Sequence, residues 1–420
     1  MNLLIQILLF SSAILFIGCA NKESTNKRKC DSQPTTSRVE TKNSLPDDAI
    51  PITLYRNHLY INTELKQEAA NLLFDTGAEG LYLDSTFYKS SSLKFDNTIT
   101  AMVPGVGNKP QKIKLIRDSI QLRVGNYDYT TKGAPLIDLR MITGDYCDGV
   151  LGDKIFKEKI LEINYQDEYL RVHPAFDSIN FRGFRKLNLQ EVKGKLYLSA
   201  NLIVNDQLHI EGMFLVDLGS GGSVTLGSPV AMANKLNEKI KDRSTRHSKY
   251  AGIGGKSTSC YFNARALKIG GFSLEGLIAN YSLDEKGSLA SKERSGIIGT
   301  EIWKRFIMII DYSEKCLYLK PNSNFSKPFK ESIVGFSFVD RSESMSSWVV
   351  TGIEEGSSAV RAGIKIDDRI THINGTDITK IPLENHANYF DDKENIELDI
   401  RRGNEKQKIT FTVNNSGKPE

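Results

Sequence analysis

Three observations predict a mainly β protein made of two similar lobes and a smaller α+β module. The first is a pair of like segments. Leu72-Leu73-Phe74-Asp75-Thr76-Gly77-Ala78 returns some 140 residues later as Phe214-Leu215-Val216-Asp217-Leu218-Gly219-Ser220. Each is an apolar run, the pattern of a buried strand, that stops at an aspartate with glycine two positions on. The second is a longer repeat. Asp148–Val172 and Ser295–Leu319 align without a gap and share eight of 25 residues, among them Gly152/Gly299, Ile155/Ile302, Lys157/Lys304 and Tyr165/Tyr312. The third is a change of pattern after Phe325, where neither repeat continues.

The elements follow in order. Residues 1–18 form an export signal: Leu3–Ile17 is apolar apart from Gln6, Ser11 and Ser12, shorter than the roughly 20 residues of a membrane span. Residues 19–48 are rich in Ser, Thr, Lys and Asn, too polar to bury a core, and read as a flexible tether. The lobes are predicted at 49–180 and 181–325. Both consist of short β-branched runs broken by Gly, Asn and Asp, as in small barrels. Their features keep the same order: Leu59-Tyr60-Ile61 parallels Leu196-Tyr197-Leu198, and Leu122-Arg123-Val124-Gly125 parallels Leu267-Lys268-Ile269-Gly270. The glycine-rich turn Gly105-Val106-Gly107-Asn108 likewise parallels Gly252-Ile253-Gly254-Gly255. A helix is predicted over Pro229–Ile240, capped by Ser228, and a shorter one after each apolar-apolar-Gly segment.

Composition excludes several functions. With 55 Lys and Arg against 51 Asp and Glu, scattered along the chain, nothing points to nucleic acid. Of the cysteines beyond Cys19, namely Cys30, Cys147, Cys260 and Cys316, none forms a CxxC pair, and no metal or other cofactor is expected. Gly255-Lys256-Ser257 lacks the glycine a phosphate loop needs at position 250, which is Tyr250. There is no His-Glu-x-x-His and no Gly-x-Ser-x-Gly.

Two aspartates at strand ends in a duplicated chain suggest a shared site. Carboxylates a few ångströms apart cannot both ionise comfortably, so they hold one proton between them and can activate a water. The ordered set apolar-apolar-Asp-Thr-Gly-Ala, glycine-rich hairpin, apolar-apolar-Gly resembles the retropepsin/pepsin clan of aspartic proteases, and does so twice. The resemblance implies a bilobal acid-protease-like double β-barrel that is active as a monomer on an extended polypeptide. In it Asp75 and Asp217 are catalytic, and Thr76, Gly77, Gly219 and Ser220 support them. Gly105, Val106 and Gly107, with Gly252, Ile253 and Gly254, become flap candidates, and Val150-Leu151-Gly152 and Ile297-Ile298-Gly299 pack under the aspartate loops. Tyr250 is a candidate for lining the substrate pocket or an exposed strand residue. Leu218 departs from the pattern, since the clan has a hydroxyl there that bonds to the opposite loop. Its loss leaves open a peptide-binding protein without hydrolysis.

The C-terminal residues 330–415 carry Ala362-Gly363-Ile364 and Asp368-Arg369-Ile370-Thr371-His372-Ile373-Asn374-Gly375, a run that resembles a bacterial PDZ domain. The resemblance places Gly335, Phe336, Ser337 and Phe338 at the peptide groove, where a peptide C-terminus would bind by adding a strand. The alternatives are a PDZ domain packed on the body that binds no free ligand, and a scaffold in which the groove is the active part. Finally, Leu15-Phe16-Ile17-Gly18-Cys19 resembles the lipobox of bacterial lipoproteins. It implies lipid on Cys19 and a cell-envelope location, the outer membrane because Ala20 replaces the aspartate linked to inner-membrane retention. An ordinary secretory signal is the alternative.

Overall fold

A computed structural model describes residues 45–103, 111–252, 255–330 and 334–413. The chain is mainly β, with two six-stranded barrels and a smaller C-terminal module. In the first barrel, strands His58–Leu65, Glu68–Asp75, Gly149–Gly152, Leu81–Asp84, Tyr127–Ile137 and Gln111–Val124 neighbour one another in that order, and Thr63↔Val124 pairing closes the ring. The second repeats the order with Lys195–Asn205, Leu208–Val216, Gly296–Ile298, Val224–Leu226, Phe272–Ser282 and Ser257–Ile269, closed by Leu202↔Leu267. The duplication in the sequence is thus a strand-for-strand duplication of the barrel.

The two lobes share a sheet. Ile160–Asn164 of the first lobe pairs antiparallel with Phe306–Asp311 of the second, and these are equivalent strands of the repeat. Tyr169–His173 and Ile50–Tyr55 extend it on one side, Cys316–Pro321 and Arg185–Asn188 on the other. Alternate residues of the central strands, Leu161, Ile163, Met308 and Ile310, are fully buried in one core that runs through both lobes. Burying a side chain of this size contributes about 1.5–3 kcal/mol, so the shared sheet fixes the lobes against each other.

Helices differ in detail from expectation. A 3-10 turn, Asp153–Phe156, and a short helix, Thr300–Trp303, do follow the two apolar-apolar-Gly segments. The helix expected over Pro229–Ile240 is broken into Ser228–Ala233 and Leu236–Lys239, because Lys235 between them is left-handed at φ 54°. Gly227, not Ser228, stands at its N-cap; the Ser228 hydroxyl donates instead to the Asp284 carbonyl at 2.5 Å. Cys147, Cys260 and Cys316 are buried free thiols. Among the described residues no helix is long and apolar enough to cross a membrane; residues 1–18, Cys19 and Cys30 lie outside them.

The C-terminal module has its own core, around Trp348, Ile370, Ile373, Ile378, Ile396 and Leu398. Phe338 stacks on Trp348 with ring centroids 4.5 Å apart. Asp368, fully buried, takes both Nε and Nη2 of Arg402 at 2.7 Å, which pairs the charge. Asp367 lies in the left-handed region, with φ 73°.

Candidate active site

Asp75 ends the strand Glu68–Asp75, and Asp217 directly follows Leu208–Val216. Each strand lies parallel to the apolar-apolar-Gly segment of its own lobe: Asp75 is opposite Gly152, and Val216 opposite Ile298. That segment also bonds the loop beyond the aspartate, through Gly152 N–H to Gly80 O and Gly299 N–H to Ser223 O, both at 2.8 Å. The expected supporting role of these segments has this physical basis.

The structure brings the two aspartates together. Both are fully buried. A Cβ placed on Gly77 would lie 2.9 Å from Asp75 Oδ1 and 3.1 Å from Asp217 Oδ2, so one oxygen of each carboxylate borders the same small space. A Cβ on Gly219 would fall 2.2 Å from Asp75 Cγ, inside van der Waals contact. Only glycine lets the second loop lie against the carboxylate of the first. Backbone donors fix both acids. Gly77 N–H donates to Asp75 Oδ1 at 2.6 Å, and the N–H groups of Gly219 and Ser220 donate to Asp217 Oδ1 at 3.0 and 3.1 Å. Ser220 supports Asp217 through its backbone amide.

Thr76 ties the loops. Its hydroxyl donates to Val216 O at 2.6 Å and accepts from Leu218 N–H at 3.1 Å. The Leu218 side chain is fully buried in the main core, and its carbonyl accepts from the Thr300 hydroxyl at 3.0 Å. The cross-loop bonding of a side-chain hydroxyl therefore comes from one loop, as the leucine implies.

Two basic residues near the pair escaped the sequence reading. His58 and Lys195 immediately precede the matched triplets Leu59-Tyr60-Ile61 and Leu196-Tyr197-Leu198, so they occupy equivalent places in the two lobes. Both are buried. His58 Nδ1–H donates to the Arg56 carbonyl at 2.9 Å, and the Gly219 backbone is in reach; burial pushes its pKa down to about 4, so it is neutral near pH 7. Burial and Arg294 pull Lys195 below its ordinary value, against the fields of Asp75, Asp217 and Glu79. The repeat itself was the signal that could have found them.

The hairpins expected to carry flaps exist in both lobes: Thr98–Val103 pairs with Gln111–Val124, and Ser244–Ser248 with Ser257–Ile269. Gly105, Val106, Gly107, Ile253 and Gly254 at their turns lie outside the described residues. Gly252 is within them, with φ 107°. Tyr250 donates its hydroxyl to Asp367 Oδ1 at 3.2 Å, so it points to the C-terminal module.

Gly335 precedes an edge strand, Phe336–Arg341, that pairs with Ser347–Glu354. Its carbonyl accepts from Glu354 N–H at 2.9 Å and from the Ser357 hydroxyl at 3.2 Å. Phe336 and Phe338 side chains are buried in the module's core. The PDZ domain family matches residues 322–401. The module is a PDZ domain, a class that suggests peptide binding. No curated protein matches the chain.

Proposed function

We propose that the chain is an exported aspartic endopeptidase. The observation that carries this reading is the approach of Asp75 and Asp217, from equivalent strands of a duplicated barrel, to one shared space. In this reading one carboxylate is ionised and the other holds the proton. The ionised acid takes a proton from a water lying between them as the oxygen attacks the scissile carbonyl. The protonated acid donates to the carbonyl oxygen, which leaves a neutral tetrahedral diol. Collapse of the diol returns one proton to the acid pair and passes one to the departing amine, so atoms and charge balance over the cycle. Thr76, Gly77, Gly219 and Ser220 hold the acids, and substrate lies extended between the two hairpins. Lipid on Cys19 and the tether 19–48 would hold the enzyme on the outer membrane of a bacterial envelope.

Leu218 favours a second reading, a peptide-binding lipoprotein without turnover, because only one loop supplies a cross-loop hydroxyl. Peptide cleavage by the soluble chain, with Asp75→Asn and Asp217→Asn alongside, separates the two.

A further inference from the structure

The PDZ domain is joined to both lobes, and each joint falls on an element that the proposed function needs free or positioned. The joint to the second lobe is a sheet. Strand Ser244–Ser248, the outer arm of the second hairpin, pairs antiparallel with Ser347–Glu354 through Arg246↔Glu354, His247↔Ile353 and Ser248↔Gly352. Side chains reinforce it. Arg246 Nε meets Glu354 Oε2 at 2.8 Å, Lys249 Nζ meets Asp367 Oδ2 at 2.5 Å, and Tyr250 reaches the same carboxylate. Gly352 is wedged between strands: a Cβ there would meet Ser337 Oγ at 2.5 Å and Ser248 Oγ at 2.9 Å. The hairpin arm, the strand Ser347–Glu354 and the edge strand Phe336–Arg341 are thus three successive strands of one sheet.

The joint to the first lobe covers the edge strand. Val350 N–H goes to Asp368 O on the far side, so its partner Phe338 turns its carbonyl outward, as does Asp340 two residues on. Both outward carbonyls are taken. Phe338 O accepts from Arg56 Nη1 at 2.7 Å, with the guanidinium 4.1 Å above the Phe338 ring, and Asp340 O accepts from Asp145 N–H at 2.8 Å. Asp145 in turn accepts from Arg341 Nε at 2.8 Å and from Ser344 N–H and hydroxyl at 2.8 and 2.7 Å. The Tyr55 hydroxyl and His386 Nδ1 stand 3.2 Å apart, and His386 faces Asp340 at 3.4 Å. Arg56 is two residues from His58, and its carbonyl accepts from His58, which also has the Gly219 backbone in reach.

We infer that the PDZ domain is an internal clamp: it holds the second hairpin as a strand of its own sheet, while the first lobe closes the edge at which a peptide would add. A peptide adds a strand by bonding the outward N–H and C=O groups of such an edge. It gains access here only by displacing Arg56 and the Asp145 amide, and the same displacement loosens the sheet that carries the hairpin. Peptide capture by the PDZ domain and position of the hairpin over the cleft are therefore opposed states of one device. That consequence for the cleft rests on the peptidase reading; the clamp does not.

Amide hydrogen exchange on the soluble full chain tests this, comparing parent with Arg341→Ala/Ser344→Ala, both in an Asp75→Asn background so that no probe peptide is consumed. Releasing the first-lobe joint should raise exchange over 244–248 by at least about tenfold, with strands 395–412 still protected as evidence that the PDZ domain stays folded. The variant, unlike the parent, should also be retained on an immobilised library of peptides with random free C-termini. Unchanged exchange over 244–248 beside faster exchange over 140–145 and 336–341 overturns the coupling. Equal retention of parent and variant on the library overturns the closed edge. If the double variant loses protection over 395–412, Ser344→Ala alone, which keeps Arg341, gives the same comparison at smaller amplitude. Because no readout depends on cleavage, failure of the peptidase reading would leave these results intact.

Discussion

Replacing Thr76 by valine removes one oxygen and almost no volume. That oxygen serves two groups at once, the Val216 carbonyl at 2.6 Å and the Leu218 amide at 3.1 Å, and both residues are at most 1 % exposed. Neither group has water to turn to. Leaving a buried donor or acceptor unpaired costs about 1–3 kcal/mol each, so Thr76→Val should cost about 2–6 kcal/mol of stability. Leu218 cannot compensate, since it carries no hydroxyl. Thr76→Ser is the control: it keeps the oxygen and deletes a methyl, at a cost of roughly 1 kcal/mol. Urea unfolding of the soluble chain, with equal m-values for the variants compared, measures both. Cleavage should fall further than stability, because the two aspartates are positioned through this bond. A valine variant within about 0.5 kcal/mol of the serine variant would refute the idea that the Thr76 oxygen ties the loops.

Other perturbations give sharp expectations. Gly219→Ala pushes a methyl into the Asp75 carboxylate and should abolish peptide cleavage, at an overpacking cost of about 1–3 kcal/mol in denaturant; retained turnover would mean the loops do not meet as described. Asp153, buried between the lobes near Tyr312 and Lys195, has its pKa pushed up to about 7 by burial. A raised folded value means its stabilisation is fully present below about pH 4 and is lost as pH rises through about 7, at about 1.4 kcal/mol per pH unit between the two pKa values. The stability of the parent relative to Asp153→Asn should therefore fall by a few kcal/mol from pH 4 to 7, and a pH-independent difference would contradict it. Glu301 is buried among Arg305 Nη2 (3.1 Å), Lys304 Nζ (2.6 Å) and Asn57 of the other lobe (2.9 Å). Glu301→Ala takes the carboxylate away from the buried Arg305 and the half-buried Lys304 and should cost about 3–5 kcal/mol by calorimetry or urea; a change within experimental error would show that the pairing is immaterial.

Much of the body was legible because duplication leaves two copies of every signal. Gly152 and Gly299, or Tyr165 and Tyr312, identify each other, and the shared order of features predicted two like barrels before any strand was placed. The aspartates were legible for the same reason. What the sequence did not disclose was tertiary. Nothing local marks Lys235 as left-handed, so one helix was predicted where two short ones form. His58 and Lys195 read as ordinary strand residues until the fold turns both inward. The pairing of Ser244–Ser248 with the PDZ sheet joins residues more than 100 positions apart, with no pattern in either strand to announce it. The resemblance places Gly335, Phe336, Ser337 and Phe338 at the peptide groove. No pattern in either segment announces that the Phe338 carbonyl accepts from Arg56 of the first lobe.

The central claim is that Asp75 and Asp217 act as one acid pair on a peptide bond. The most direct test is digestion of a diverse peptide mixture by the soluble chain beginning after Cys30, between about pH 4 and 8, with Asp75→Asn and Asp217→Asn as parallel samples and fragments read by mass spectrometry. The account predicts defined cuts by the parent and none by either variant. A folded parent that makes no cut at any pH, or cuts that survive either substitution, would contradict it.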